Sequence, residues 1–212
     1  EGAYSRVDIA PEGGGQPVAV AVETDTLKVK IGDPVAEGDD LDNLFGLPSA
    51  AITLDTSLGF HPTGTGSVAF RAPEGRAFAD VQDEIRALLE AGGGPRVEAS
   101  IDSYGYTWLV CRTEPPDASA LVTDLHAVNT SLQDSGFGPT LLCSLVAFTD
   151  GARTLGLVYL YKQGTFYPFA PAEGTGTTVE GKPVQRRDNV LELQVRDLLR
   201  DDLRLEPDTQ RW

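Results

Sequence analysis

The segment GFGPTLLCSLVAFTDGARTLGLVYLYKQGTFYPF, residues 136–169, is the most apolar part of this 212-residue chain and decides its fold. Its two apolar runs, residues 141–148 and 154–162, are rich in β-branched and aromatic residues and have the length of strands. Asp150 and Gly151 lie between them and are typical of a tight turn. We therefore predict two adjacent core strands, followed by a loop dense in aromatic residues.

Three helices are predicted around these strands from apolar residues that recur every three or four positions. The first covers residues 78–91, and the second begins at Asp117 and ends before Gly136. Aspartate is a favoured N-cap, and glycine is favoured just past a helix end. The third opens with Asn189 and carries Glu192 three residues later, which fits a capping box.

Alternating apolar and polar residues predict further strands. Residues 97–101 and 106–112 fit a β-hairpin, residues 67–71 fit a strand, and residues 50–54 fit either a strand or a helix. Because hairpins join the strands, the order of elements favours an α+β fold, an antiparallel sheet with helices packed on it. The layout is similar, in architecture only, to the helix–sheet–helix proteins that act as secretion chaperones.

Glycine and proline mark the predicted breaks. A short helix at residues 41–45 is expected to end at Gly46 and Pro48, and residues 172–185 are predicted to form a polar loop. Residues 1–40 are rich in glycine and contain two β-like runs, residues 18–22 and 26–31. We predict that they form a β-rich N-terminal extension in front of a single α+β domain, residues 41–212.

The net charge is −15, from 32 acidic and 17 basic residues. This charge opposes binding to nucleic acid, because affinity for a phosphate backbone depends on Lys and Arg. No apolar run approaches the roughly 20 residues that span a bilayer, and the first residues do not show the basic stretch and apolar run of a secretory leader. We therefore expect a cytoplasmic protein without membrane insertion. A protein partner is the expected alternative to nucleic acid.

Residue types that carry catalysis or bind metals are few. His126 is the obvious candidate base, but Asp124 lies two positions earlier and so on the opposite side of a helix. A zinc site would need His61, His126 and the two cysteines, Cys111 and Cys143, to converge without paired-ligand spacing. We predict two buried free thiols, no metal and no cofactor, and we expect a binding protein rather than an enzyme. The alternative is an enzyme or ligand sensor with a pocket near His126 and Lys162.

Two groups of aromatic residues suggest a binding surface. Tyr104, Tyr106 and Trp108 share parity along one strand, so they point to the same side, and Phe166, Tyr167 and Phe169 form the second group. The alternative is that these rings simply cover the sheet.

Three basic residues complete the predicted surface. Lys162 is one of only four lysines and stands where a cation beside aromatic rings can hold a partner carboxylate. Arg186 and Arg187 precede a helix N-terminus, where positive charge is unfavourable unless an acidic group meets it. We predict that these three residues and the aromatic residues bind a partner. A solvated strand end at Lys162, and pairing of the arginines with this chain's own carboxylates, remain the alternatives.

Five ordered blocks carry a resemblance to a known family. They are LDNLFGLPSAAITL (41–54), SYGYTWLV (103–110), LVTDLHAVNTSLQDSGFGPTLLCSL (121–145), LVYLYKQGTFYPFAP (157–171) and RRDNVLELQVRDLL (186–199). Over about residues 41–212 the chain resembles the PspA-associated protein PspAB family, from which it departs in its first 40 residues and in a longer 172–185 segment. The resemblance implies a small cytoplasmic protein linked to PspA, a coiled-coil protein of membrane stress, and it brings no catalytic residues.

The leading hypothesis from the sequence joins the residue pattern to this resemblance. It is a non-catalytic accessory protein of a PspA-type envelope-stress system that binds a protein partner, with PspA as the candidate. The oligomeric state stays open at this point.

Overall fold

The computed structural model describes residues 4–9, 18–23, 41–71, 78–91, 93–102, 105–177 and 183–208. The strands in these ranges are β1 (Tyr4–Ile9), β2 (Val18–Glu23), β3 (His61–Arg71), β4 (Glu98–Ile101), β5 (Tyr106–Arg112), β6 (Leu141–Thr149), β7 (Thr154–Leu160), β8 (Thr165–Phe169), β9 (Pro171–Thr177) and β10 (Pro183–Arg187). The α-helices there are α1 (Leu47–Leu58), α2 (Phe78–Ala91), α3 (Ala118–Leu132) and α4 (Asn189–Leu199).

Six of the strands form one antiparallel sheet in the order β4-β5-β3-β6-β7-β8. The two core strands predicted from residues 141–148 and 154–162 are β6 and β7, which pair in the middle of this sheet with Leu145 opposite Val158. Two separate hairpins, β1 with β2 and β9 with β10, complete the described strands. Helices pack against the large sheet, so the predicted α+β fold with an antiparallel sheet is confirmed.

One face of the sheet packs against the helices. Val68 of β3 and Phe148 of β6 share a buried core there with Leu54 of α1. A polar contact also ties α3 to this face, because the buried Asn129 Nδ2 donates to Ser144 Oγ of β6 at 2.9 Å. This contact satisfies two polar groups that would otherwise be costly to bury.

The opposite face carries a second buried cluster, whose described members all come from strands. They are Ala69, Trp108, Val110, Cys143, Leu145, Ala147, Val158, Leu160, Tyr167 and Phe169, with Tyr106 and Leu142 packed against them. We call this set the strand-only cluster. Both faces of the sheet are therefore apolar and buried, which explains why β6 and β7 read as continuous apolar runs rather than as alternating strands.

The short helix predicted at residues 41–45 is present as a 3₁₀ helix that ends at Gly46, as predicted, but Pro48 does not end a helix. A 3₁₀ turn, Leu41–Gly46, leads directly into α1, and Pro48 lies in the first turn of that helix. Proline is tolerated there because the first N–H groups of a helix have no intrahelical partner. Residues 50–54, which fitted either a strand or a helix, are part of α1.

The predicted aromatic loop after β7 is also wrong. A tight turn at residues 161–164 is followed at once by β8, and every residue of β8 is buried. The polar loop predicted at 172–185 instead contains β9 and β10, which pair as a hairpin. Paired backbone hydrogen bonds stabilise these segments, whose composition alone suggests loops.

Two helix starts test the capping predictions. Asp117 caps α3, as predicted, by accepting hydrogen bonds from the N–H groups of Ser119 and Ala120. The N-cap of α4 is Asp188 rather than Asn189, because Asp188 Oδ1 accepts from the Leu191 N–H at 3.0 Å.

The N-terminal prediction is tested only in part. The first of the two β-like runs is strand β2, and the second, residues 26–31, lies outside the described residues. The division into an extension, residues 1–40, and a domain, residues 41–212, stays a prediction.

Candidate functional site

The aromatic residues of β5 lie on the strand-only face of the sheet. Tyr106 and Trp108 point to the same side, as their spacing predicts, and Tyr167 of β8 joins the same cluster. Trp108 and Tyr167 are only 1% and 2% exposed, whereas Tyr106 is half-buried. The indole Nε1 of Trp108 donates to Asp102 Oδ2 at 3.0 Å, which fixes its ring. Tyr104 lies outside the described residues.

Trp108 and Tyr167 share this face without touching. Strands β5 and β8 are four steps apart in the sheet. At about 4.8 Å per step, roughly 19 Å separate them, which is too far for the two rings to meet. The residues between them, among them Cys143 and Val158, make the cluster continuous.

Phe166 does not belong to this face. It follows Thr165 and precedes Tyr167 in a strand, so its side chain points to the opposite side. There it is fully buried in the core under the helices, with its ring centroid 4.9 Å from that of Tyr159. The adjacent pair Phe166 and Tyr167 therefore contributes one residue to each face.

Lys162 lies in the turn between β7 and β8. Gly164 closes this turn with a φ of 63°, and its N–H donates to the Leu160 carbonyl at 2.9 Å. Leu160 and Trp108 occupy the same row across the sheet, linked through Ala69 and Cys143. Lys162 comes two residues after Leu160, and Tyr106 comes two residues before Trp108 on a strand of opposite direction. The two residues therefore lie at the same end of the sheet, and Lys162 is half-buried.

That end of the sheet carries a second cation. Arg71 pairs with Tyr106 across β3 and β5, and its guanidinium lies 5.4 Å from the centre of the Tyr106 ring. This distance is within the range of cation–π attraction. Leu142 of β6, half-buried, packs against the same cluster.

Arg187 contacts residues of its own chain. Its Nε and Nη2 donate to Oε1 and Oε2 of Glu192, each at 2.9 Å, and its guanidinium lies 5.2 Å from the centre of the Phe169 ring. Burial raises the pKa of Glu192, although the Arg187 guanidinium and the Ala170 N–H act to lower it. For Arg186 the structure describes only the backbone, which pairs with Ala172.

The two histidines lie in different places. His126 Nε2 is 3.7 Å from Asp42 Oδ1, and its ring centroid is 5.1 Å from that of Phe45. His61 Nδ1 is 3.0 Å from Asp55. Among the described residues no group of three or more His, Cys, Asp or Glu side chains is placed to hold a metal ion.

The two cysteines are buried free thiols, as predicted. Cys111 belongs to the core under the helices and Cys143 to the strand-only cluster, so the sheet separates them. Burial raises the pKa of each thiol to about 12, and the charge of Asp124 adds to the effect at Cys111. A thiol needs its thiolate form to act as a nucleophile, so neither is suited to that role at neutral pH.

A cleft of about 440 Å³ opens beside α2, β4 and β5, and the sequence did not reveal it. Arg86 of α2, Arg96 of the connecting segment and Arg112 of β5 line it together. The three arginines are spread over the chain without a motif, and only the fold brings them to one place. The one signal in the sequence was that Arg112 lies an even number of residues from Tyr106 and Trp108, which places its side chain on the same face of the strand.

The described helices are all too short or too polar to cross a membrane.

In architecture the molecule is an α+β protein whose helices cover one face of an antiparallel sheet, with an aromatic and cationic end on the other face. The sequence model of the family described as PspA associated protein B, PspAB, matches residues 24–212. The chain belongs to this family.

No curated protein and no solved structure gives a match to this chain. The family match begins at residue 24, so it includes part of the segment that we predicted to be an extension.

Proposed function

We propose that this protein is a cytoplasmic, non-catalytic accessory protein of a PspA-type envelope-stress system and that it binds PspA directly. The observation that carries the proposal is the family match over residues 24–212, since the family is described as associated with PspA. An associated protein needs a surface for its partner.

The proposed partner surface is the end of the sheet formed by Arg71, Tyr106, Leu142 and Lys162, which we call the aromatic–cationic edge. Arg71 is exposed, and the other three are half-buried, so each presents part of its side chain to solvent. Tyrosine combines apolar area with a polar tip, and arginine is enriched at binding hot spots. In a chain of net charge −15, two cations at one edge favour an acidic group on the partner.

The other residues predicted to bind a partner take different roles in this proposal. Trp108 and Tyr167 are buried in the strand-only cluster, against which Tyr106 and Leu142 of the edge pack. Arg187 binds Glu192 and contributes to stability beside Phe169, at the end of β8 that is farther from Lys162 in the chain. Phe166 packs under the helices, so its replacement is expected to affect folding before binding.

The test is calorimetric titration of purified PspA from the same organism into this protein. We expect saturable binding that Lys162→Glu and Tyr106→Ala each weaken by at least about tenfold, the usual effect of removing a hot-spot contact. Arg200→Glu is the matched control, because Arg200 is an exposed arginine, 76% accessible, at the end of α4. This variant should bind like the unaltered protein.

Two results would contradict the proposal at different levels. If PspA does not bind at all, the association named by the family is not a direct contact. If PspA binds and neither edge variant weakens it, the surface lies elsewhere, and Arg186 is the next residue to replace.

The alternative function predicted from sequence was an enzyme or ligand sensor with a pocket near His126 and Lys162. The cleft described above is lined by neither residue, nor by Arg187. His126 instead contacts Asp42 and Phe45. The geometry of the described residues therefore favours the accessory function.

A further inference from the structure

The cleft beside α2 is formed by three parts of the chain. Arg86 and Leu89 come from the last turns of α2, Arg96 and Val97 from the segment that follows, and Arg112 from the end of β5. Two hydrogen-bond contacts orient Arg112, from Nη1 to Thr65 Oγ1 at 3.4 Å and from Nη2 to Glu98 Oε2 at 3.5 Å.

The charge of this cleft is opposite to that of the protein. Among the described residues, three arginines line it against one acidic residue, Glu98, whereas the whole chain has 32 acidic and 17 basic residues. Arg86 Nη1 also lies 3.5 Å from Oδ1 of the exposed Asp83. Like charges brought to one place repel each other unless an anion lies between them. Guanidinium groups also match the geometry of phosphate and carboxylate, to which they donate two parallel hydrogen bonds.

The remaining walls of the cleft are apolar. Leu89, Pro95, Val97 and Val110 supply them, and the volume of about 440 Å³ falls within the range of small-molecule sites. A site with several guanidinium groups and an apolar wall suits a ligand that has an anionic head and an apolar body.

We infer that this cleft binds a small organic anion that joins a phosphate or carboxylate group to an apolar body. Arg96 and Arg112 bind the anionic head, Arg86 adds positive charge at the rim, and Val97 and Val110 contact the body. The inference is independent of partner binding, because none of these residues belongs to the aromatic–cationic edge.

A purely structural role for the arginines explains less. They stand near the C-terminal end of α2, whose partial negative charge attracts cations, but one cation is sufficient for that effect. The ion pairs of Arg112 with Glu98 and of Arg86 with Asp83 each join atoms 3.5 Å apart, and the two carboxylate side chains are 60% and 77% exposed. Ion pairs with a largely exposed partner contribute little to stability, so stability alone does not require three arginines.

The experiment is titration of the full chain with 1-naphthyl phosphate, followed by calorimetry and by amide chemical shifts. We expect saturable binding at micromolar to millimolar concentration, with shift changes centred on Val97 and Val110. Inorganic phosphate should compete, because it occupies the same guanidinium groups. The neutral analogue 1-naphthalenemethanol should bind at least about tenfold more weakly, because it cannot accept charge-assisted hydrogen bonds.

Three variants are expected to change the binding of 1-naphthyl phosphate in different ways. Arg96→Gln should weaken binding about tenfold, and Glu98→Gln should strengthen it severalfold by removing the competing carboxylate. Arg200→Gln removes the same charge far along the chain and should leave binding unchanged. Arg96 and Glu98 are both exposed, so these variants are expected to fold.

The inference is overturned if 1-naphthyl phosphate shows no saturable binding, or if its shift changes fall away from Val97 and Val110. It is also overturned if the neutral analogue binds equally well, or if Arg200→Gln weakens binding as much as Arg96→Gln. Loss of PspA binding has no bearing on these outcomes, so the two proposals fail separately.

Discussion

Arg187 and Glu192 form a buried, bidentate ion pair that connects the β9–β10 hairpin to α4. The distances from Arg187 Nε to Glu192 Oε1 and from Arg187 Nη2 to Glu192 Oε2 are both 2.9 Å, and the two side chains are 12% and 2% exposed. Glu192 Oε1 also accepts from the Ala170 N–H at 2.9 Å, just past the end of β8. One carboxylate thus holds three segments together, and it provides the acidic partner that the positive charge of Arg187 needs at this helix start.

Arg187→Leu should destabilise the protein by about 3 kcal/mol or more, because it leaves the Glu192 carboxylate buried without its cation. The free energy of unfolding in urea measures this. Arg196→Leu is the control, since Arg196 pairs with the largely exposed Asp197 and should cost less than about 1 kcal/mol. Equal losses for the two variants would mean that the buried pair has no special role.

The two thiols predict a dependence of stability on alkaline pH. Their pKa is about 12 in the folded chain against an ordinary value of 9.0, so the folded state retains protons that the unfolded state loses. Their contribution is therefore complete below about pH 9 and is lost as the pH rises from there toward 12. At pH 10 the loss is on the order of 1 kcal/mol per thiol.

Urea unfolding at pH 8 and at pH 10 measures this effect. The double variant Cys111→Ala with Cys143→Ala should lose less stability between these two pH values than the unaltered chain. Identical losses would show that the thiols do not carry the dependence.

Thr107→Val should stabilise the protein by about 1 kcal/mol. Thr107 Oγ1 is buried, and among the described residues it has no hydrogen-bond partner, so a methyl group of similar shape removes a desolvated hydroxyl. Thr165→Val is the matched control, because Thr165 Oγ1 donates to the buried Glu206 Oε2 at 2.9 Å. Thermal unfolding should show a higher midpoint for Thr107→Val and a lower one for Thr165→Val. A lowered midpoint for both would contradict the assignment.

Tyr167→Ala should lower the free energy of unfolding far more than Lys162→Glu, because Tyr167 is in the core and Lys162 is partly exposed. Tyr167 is 2% exposed, so its truncation should cost about 3–5 kcal/mol of the free energy of unfolding. Lys162 is half-buried in a turn, and its replacement should change this energy by less than about 0.5 kcal/mol. Denaturant unfolding measures both values. A stable Tyr167→Ala variant would place that ring outside the core.

Local patterns in the sequence predicted the elements whose stability is local. Helix α2 has the predicted bounds, and so does strand β5. Asp117 caps α3 because its side chain is within reach of N–H groups two and three residues later, wherever the rest of the chain lies. The parity of Tyr106 and Trp108 was equally reliable, since side chains alternate along any strand.

Elements that depend on partners distant in sequence were predicted poorly. Strand β8 looked like a loop because it follows a glycine and contains a proline among its aromatic residues. Its pairing with β7 supplies the backbone hydrogen bonds that stabilise it. The hairpin of β9 and β10 was missed for the same reason. Pro48 looked like a helix end because proline breaks helices, but its effect depends on whether it falls in the first turn.

The sequence by itself therefore determined the fold class, the family and the alternation of side chains along each strand, because these follow from patterns of neighbouring residues. Only the tertiary structure decided which face each alternation presents to the helices, and so placed Phe166 in one core and Tyr167 in the other. It also decided that Arg86, Arg96 and Arg112 meet at one cleft while Arg187 is held by Glu192. Strand order and helix packing bring together residues far apart in the chain, and no local pattern records such distances.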